Sequence, residues 1–297
     1  MYAIEAEGLA RVFGQVEAVR SVDLAVRPGE VVGFLGPNGA GKTTTLRMLA
    51  TVLAPTGGRA RVAGHDLRAE PDRVRRRIGY VAQSGGTRPL STPREELVLQ
   101  GLLHRLPDAA RRADVLLDDF GLGDARDRPV ATLSGGRRRR LDVALGLVHR
   151  PEVLFLDEPS TGLDPGSRAA LWDHVRALDA TVFVSTHYLD EADALCSRVS
   201  IMDQGRIVAE DSPGALKAAV GHDTVVIGLA GHDVDVVDAV TDLGEASLDG
   251  DTLTVTCRDG ARLLPDLVRR LGDAGAEIRS VVVRGATLDD VFEALTC

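Results

Sequence analysis

The stretch Gly36-Pro-Asn-Gly-Ala-Gly-Lys-Thr43 decides how this chain is read, because it matches G-x-x-x-x-G-K-[ST] in full. A short apolar run, Glu30 to Leu35, precedes it and reads as a buried parallel strand. A helix is expected to follow over Lys42 to Leu53, ended by Pro55 and the pair Gly57-Gly58. Strand, glycine loop and helix in that order make an anion cradle: backbone N–H groups point inward and the helix adds its positive end. Gly36, Pro37, Asn38, Gly39, Ala40 and Gly41 are the candidate cradle, with Asn38 expected to tolerate a left-handed backbone. Lys42 is placed to reach β- and γ-phosphates, and Thr43, followed by Thr44, to ligate Mg²⁺. Of the 35 lysines and arginines only Lys42 and Lys217 are lysines, so a chain that rarely uses lysine keeps one where this loop needs it.

Working outward, Val153-Leu-Phe-Leu-Asp157-Glu158 is an apolar strand that delivers two carboxylates at its C-terminal end. Open α/β sheets bind ligands at that end of their strands. Asp157 suits Mg²⁺, and Glu158 suits a general base that polarises an attacking water. Further short strands are read at Ile4 to Leu9, Val22 to Val26, Ile78 to Gln83 and Val182 to Ser185. Helical patterns cover Thr92 to about Leu122, with Leu97, Leu116 and Leu117 on apolar faces, then a helix opened by Ser134, and Arg168 to Leu178. Strands alternating with helices argue for an α/β fold with parallel crossovers. Near Val220 the texture changes to β-α-β-β-α-β: Val225 to Leu229, a helix over Val234 to Leu243, Ala246 to Leu248, Leu253 to Cys257, a helix over Leu263 to Leu271, and Ile278 to Val283. A last helix is read over Leu288 to Leu295, and the whole suggests a small ferredoxin-like α+β domain.

Composition narrows the function. The net charge of −9 gives no global basic footprint, so no nucleic-acid partner is expected. The run Arg137 to Arg140 is read as a solvated helix face rather than a nucleic-acid patch. Cys196, Cys257 and Cys297 are far apart and lack metal-type spacing. No signal peptide and no run of about 20 apolar residues is seen, so a membrane role would be that of a peripheral subunit.

Between the two anchors lies Leu133-Ser-Gly-Gly-Arg137, and after them come Pro159-Ser-Thr-Gly-Leu-Asp-Pro165 and Ser185-Thr-His187. This ordered set resembles the nucleotide-binding subunits of ABC transporters, over roughly residues 1–219. The resemblance implies a P-loop ABC ATPase core with an antiparallel β subdomain and a helical subdomain at about 86–148, leaving 220–297 as the small domain, dimerising or regulatory. It implies ATP and Mg²⁺ as ligands and a head-to-tail homodimer on ATP binding, with Ser134, Gly135 and Gly136 meeting the γ-phosphate held by the opposite subunit. Asp164 would lie on the dimer seam, His187 would contact the γ-phosphate, Gln83 would sense Mg²⁺ and the attacking water, and Phe13 would stack on adenine.

A narrower resemblance lies in Arg139-Arg-Leu-Asp142, Leu147-Val-His-Arg-Pro151, His187-Tyr-Leu-Asp-Glu-Ala-Asp193 and Ala286 to Thr296. These look like the daunorubicin-resistance branch of ABC exporters, which implies a separate multi-helix permease, hydrophobic drug- or antibiotic-like cargo, and a place on the cytoplasmic face of the membrane. Two features depart from the family pattern: Arg137 replaces a more usual glutamine, and Ser84-Gly-Gly-Thr-Arg-Pro89 after Gln83 is unusually glycine-rich. A soluble ABC ATPase acting on ribosomes or DNA, or an importer subunit, are the alternatives. One P-loop, one signature and no long heptad segment between them speak against the first.

Overall fold

The apolar run that precedes the glycine loop forms an interior strand of a ten-stranded sheet, and a helix follows the loop. The structure is a computed structural model and describes residues 2–231 and 236–296. It separates into two units, Met1–Pro213 and Gly214–Cys297. In the first unit the strands are β1 (Ile4–Phe13), β2 (Val16–Val26), β3 (Val31–Leu35), β4 (Gly57–Val62), β5 (His65–Asp66), β6 (Ile78–Val81), β7 (Val153–Asp157), β8 (Thr181–Thr186), β9 (Arg198–Asp203) and β10 (Arg206–Asp211). Their order is β5-β4-β1-β2-β10-β9-β3-β8-β7-β6. The segment β9-β3-β8-β7-β6 is parallel throughout, whereas β5, β4, β1 and β2 pair antiparallel. The helices are α1 (Lys42–Leu49), α2 (Pro71–Arg75), α3 (Pro93–Leu103), α4 (Ala109–Asp119), α5 (Gly135–Gly146), α6 (Pro165–Arg176) and α7 (Leu189–Leu195).

Strands β3, β7 and β8 are almost wholly buried, which is why they read as continuous apolar runs rather than alternating ones. Phe34, Phe183 and Phe155 pack across them, tilted in the first pair and edge-on in the second, with ring centroids 5.3 Å and 6.0 Å apart. Burying each such ring stabilises the sheet by roughly 1.5–3 kcal/mol. Parallel register then brings four strand ends to one edge: Leu35 lies opposite Thr186, Asp157 opposite Ser185, and Val81 opposite Leu156.

Helix α1 is shorter than the sequence pattern suggests. It stops at Leu49, and Thr51 takes a left-handed backbone with φ of 59°. β-branched Thr51 and Val52 favour helix less than the preceding leucines do, so the last turn opens early. Helix α3 begins with a capping box, in which Thr92 Oγ1 accepts from Glu95 N and Glu95 Oε2 accepts from Thr92 N, at 3.2 and 2.9 Å. Leu97, Leu116 and Leu117 are buried on the apolar faces of α3 and α4.

His149 follows α5, with Nε2 2.9 Å from Ile78 O, so its Nε2–H donates to that carbonyl. Its ring stacks on His104 at 3.9 Å. Burial, helped by the neighbouring His104, pushes its pKa from 6.5 down to about 4. The unfolded chain takes up this proton near pH 6.5 while the fold refuses it until about pH 4. The neutral ring therefore stabilises the fold fully above pH 6.5, and this contribution falls as the pH drops toward 4. Between pH 6.5 and 5 the loss approaches about 1.4 kcal/mol per pH unit. His149→Gln is expected to flatten that slope in urea unfolding at pH 7 and pH 5; equal slopes for both proteins would rule it out.

The second unit opens within α8 (Pro213–Val220) and holds β11 (Asp223–Leu229), β12 (Glu245–Asp249), β13 (Thr252–Cys257), α9 (Gly260–Asp273), β14 (Ile278–Arg284) and α10 (Leu288–Thr296). Its antiparallel sheet runs β12-β13-β11-β14 over a core that includes Val225, Ile227, Leu253, Val255, Leu267 and Leu271. The helix expected over Val234 to Leu243 differs. Residues 234–235 lie outside the described residues, and Val236 to Leu243 form successive turns, with Val240 N donating to Val237 O and Leu243 N to Val240 O. Val236, Val237, Val240 and Thr241 are β-branched and poor helix formers, so burial of Val236 and Val240 is met without a helix.

Candidate functional site

Strand β3 leads directly into the glycine loop, and α1 leaves it at Lys42. Gly41 has φ of +106°, and a Cβ there would lie 2.6 Å from Ala18 O, so neither its backbone nor its surroundings admit a side chain. Gly39 supplies another left-handed turn, with φ of 86°; Asn38 takes no positive φ, contrary to the expectation for it. Glycine has no Cβ penalty to overcome there, so the turn falls on residue 39 and Asn38 stays exposed between Pro37 and Gly39. Ala40 is buried, and its carbonyl accepts from Gly205 N at 2.9 Å, which ties the loop to the turn between β9 and β10. Thr44 is half-buried in the first turn of α1.

Lys42 is only 4% exposed. Its Nζ donates to Gly36 O and Pro37 O at 2.7 and 3.0 Å and lies 3.9 Å from Glu158 Oε1. Burial pushes its pKa down, opposed by the Glu158 and Asp157 carboxylates. Thr43 Oγ1 donates to Asp157 Oδ1 at 2.8 Å. Ser185 Oγ donates to the same oxygen at 2.9 Å, and Tyr80 OH to Asp157 Oδ2 at 3.3 Å. A buried carboxylate needs such donors, and three hydroxyls satisfy it without neutralising it.

Glu158 turns the chain out of β7 with a left-handed backbone, φ 44°. Its N–H donates to Ser185 Oγ and Ser185 O, at 3.0 and 3.1 Å. Its Oε2 accepts from Gln83 Nε2 at 2.9 Å and from Thr161 Oγ1 at 3.3 Å, with His187 Nδ1 at 3.5 Å. Gln83 thus reaches the centre from just beyond β6 and His187 from just beyond β8. The His187 ring also packs on Tyr188 at 4.2 Å.

Four of the other predicted residues, Ser134, Gly135, Gly136 and Asp164, lie at the starts of α5 and α6. Ser134 caps α5, accepting from Arg137 N, and Asp164 caps α6, accepting from Ser167 N and Ser167 Oγ at 2.9 and 2.6 Å. Those bonds from Ser167 hold the Asp164 carboxyl below its usual pKa. A Cβ on Gly136 would sit 2.4 Å from Ser167 Oγ, so this glycine lets α5 approach the start of α6. Gly135 has nothing against it and faces open space. Phe13, at the tip of the β1–β2 hairpin, is 45% exposed with the Arg11 guanidinium 4.5 Å from its ring centre, so it is not a core residue.

The tetra-arginine run corrects the sequence reading. Arg138 is exposed, and Arg137 pairs with Asp124 at 2.9 Å, but Arg139 is buried. Four consecutive helical residues sweep about 300° of arc, so they cannot share one solvated face. The Arg139–Asp142 spacing of i,i+3 was the available signal.

A P-loop between strand and helix, with a carboxylate pair, a glutamine and a histidine at the same edge of a parallel sheet, defines a nucleotide-binding ATPase cassette. The family model described as ABC transporter matches residues 19–161. The chain is 47% identical to the daunorubicin/doxorubicin resistance ATP-binding protein DrrA of Streptomyces peucetius, covering 99% of this chain and 92% of that one. It is 39% identical to a Nod factor export ATP-binding protein I of Paraburkholderia xenovorans, covering 99% and 97% respectively. Among solved structures, cbiO1 from Clostridium perfringens, part of the ABC transporter complex cbiONQ, superposes with a TM-score of 0.67 at 27% identity, covering 73% of this chain and 91% of that one. The chain belongs to the ABC transporter family, as an ATP-binding subunit of the daunorubicin-resistance branch of exporters.

Proposed function

We propose that this chain hydrolyses ATP to drive a two-component exporter, in which a separate multi-helix permease carries hydrophobic, drug- or antibiotic-like compounds. The observation that carries the reading is the convergence of Lys42, Thr43, Asp157, Glu158, Gln83 and His187 at one sheet edge. The similarity to resistance and export proteins over 99% of the chain supplies the transport context.

In this reading the backbone N–H groups of the loop (Pro37 has none) and the Lys42 ammonium hold the phosphates, and Phe13 stacks on adenine. Among the described residues no cluster of three His, Cys, Asp or Glu could hold a metal. The donor set at Thr43 and Asp157 instead fits Mg²⁺, which takes one or two protein oxygens and completes its shell with phosphate and water. In this reading Gln83, which donates to the neighbouring Glu158, would also meet that shell. Bound there, Mg²⁺ would neutralise phosphate charge. Glu158, anchored by Gln83 and Thr161, accepts the proton of the attacking water, and His187 faces the γ-phosphate.

Ser134, Gly135 and Gly136 stand at the N-terminus of α5, where N–H groups and the helix dipole favour an anion. We assign them to the nucleotide of a second copy in a head-to-tail homodimer, with Asp164 on the seam. Closing two such copies on ATP would move the permease, and hydrolysis would reopen them. We further propose that residues 1–219 act as the ATPase domain, with a helical subdomain at about 86–148, and that residues 220–297 act as a dimerising or regulatory module. Among the described residues no helix is long and apolar enough to cross a membrane. We place the chain on the cytoplasmic face of the membrane, beside its permease, from its similarity to export ATP-binding proteins.

Co-expression with any multi-span membrane protein encoded beside it is the direct test. Stable co-purification and ATP turnover stimulated at least twofold by daunorubicin in proteoliposomes are expected. Turnover that ignores the membrane protein, with the chain co-sedimenting on ribosomes or DNA, would overturn the transport reading.

A further inference from the structure

Arg139 is 7% exposed, and each of its three guanidinium nitrogens donates a hydrogen bond. Nε donates to Pro159 O at 2.6 Å, Nη2 to Asp157 O at 3.1 Å, and Nη1 to Ala82 O at 2.8 Å. The first two carbonyls flank Glu158, whose backbone is left-handed; the third immediately precedes Gln83, which donates to the Glu158 carboxylate. One guanidinium thus fixes both sides of the acidic residue and the base of its glutamine partner. A planar fork of donors suits three carbonyls in fixed positions, and an ammonium does not.

The counter-charge is Asp142, one turn along α5, with Oδ2 3.7 Å from Arg139 Nη1 and 8% of the residue exposed. Its carboxylate lies beneath the glycine-rich segment after Gln83: a Cβ on Gly85 would meet Asp142 Oδ2 at 2.9 Å. Gly85, Gly86 and Asp142 line a common groove of about 530 Å³. The departure noted in the sequence after Gln83 therefore has a physical counterpart, since small residues there let the loop settle onto this buried pair.

We propose that Arg139, held by Asp142, is a positioning residue that sets the Glu158 carboxylate for turnover and links it mechanically to the Gly85-Gly86 loop and the Ser134–Gly136 end of α5. This rests on the assignment of Glu158 as the general base. Helix α5 carries the group proposed to meet a second copy, and the loop lines the groove, so displacement of either shifts the carbonyls around Glu158. Burial pushes the Arg139 pKa down, opposed by Asp142 and Asp157, which is the signature of a cation placed for geometry at an electrostatic cost.

Steady-state ATPase measurements on the full chain test this, with Arg139→Gln, Arg139→Lys and Asp142→Asn beside wild type and Glu158→Gln. The expected result for Arg139→Gln is a kcat lowered tenfold or more, with KM for ATP within threefold. Arg139→Lys keeps the buried charge but loses the fork, and its kcat is expected to stay at least fivefold below wild type. Asp142→Asn is expected to lower kcat at least threefold. A smaller loss of kcat in folded Arg139→Gln, or recovery of wild-type kcat by lysine, would overturn the proposal and reduce the pair to charge balance. Should Arg139→Gln not fold, Arg139→Lys carries the same test. Absence of turnover in wild type would instead defeat the ATPase reading itself, so the two failures are distinct.

Discussion

Glu158→Gln is expected to lower ATP turnover by about 10²–10⁴-fold, the range spanned by loss of a positioned general base. Glutamine has nearly the same shape, and one oxygen remains to accept from Gln83 Nε2 and Thr161 Oγ1. Nucleotide affinity should therefore stay within threefold of wild type, because Lys42, the loop amides and Thr43 are untouched. With hydrolysis blocked and binding intact, ATP should hold two copies together, seen as a doubled mass in light scattering. Turnover within tenfold of wild type would remove Glu158 from the chemistry.

Lys42→Met should have the opposite profile. Losing one partner of a buried charge-assisted contact costs about 2–4 kcal/mol, or roughly 30- to 1,000-fold in ATP affinity. Stability should barely change. The Lys42 ammonium is held by two carbonyls and a carboxylate 3.9 Å away, and its desolvation already opposes the charged form. Without it, Asp157 keeps its three hydroxyl donors and Glu158 keeps Gln83 and Thr161. Melting should stay within about 4 °C of wild type. Calorimetric ATP titration beside a thermal melt checks both halves, and wild-type affinity would be fatal to the role given to Lys42.

The parts of this molecule most legible in its sequence are those where one physical demand dominates. The glycine loop, the strand ending in Asp157 and Glu158, and the apolar strand before His187 announce themselves through backbone conformation or full burial. Strands that answer to several demands were harder to see. β4 buries only Ala60 and Val62 and opens on a glycine pair that reads as a turn. β9, beside β3 in the parallel segment, has a buried run, Val199 to Met202, bracketed by Arg198 and Asp203 close behind α7. In the site, no local motif marks the hydroxyls of Ser185 and Tyr80 as donors to Asp157, because strand register places them there. Arg139 was hidden by its own composition, since arginine is rarely buried and only the helical sweep of the run betrays it.

The left-handed backbone of Glu158 has a consequence for how this protein tolerates change. A residue with a side chain held at φ 44° costs on the order of 1 kcal/mol that glycine would not incur, and asparagine accepts that region more readily than glutamate. Local backbone preference at position 158 thus favours the very replacements that remove the carboxylate. With Glu158 as the proposed general base, demand for turnover retains the strained corner against that local preference, together with the contacts its carboxylate makes to Gln83, Thr161 and Lys42.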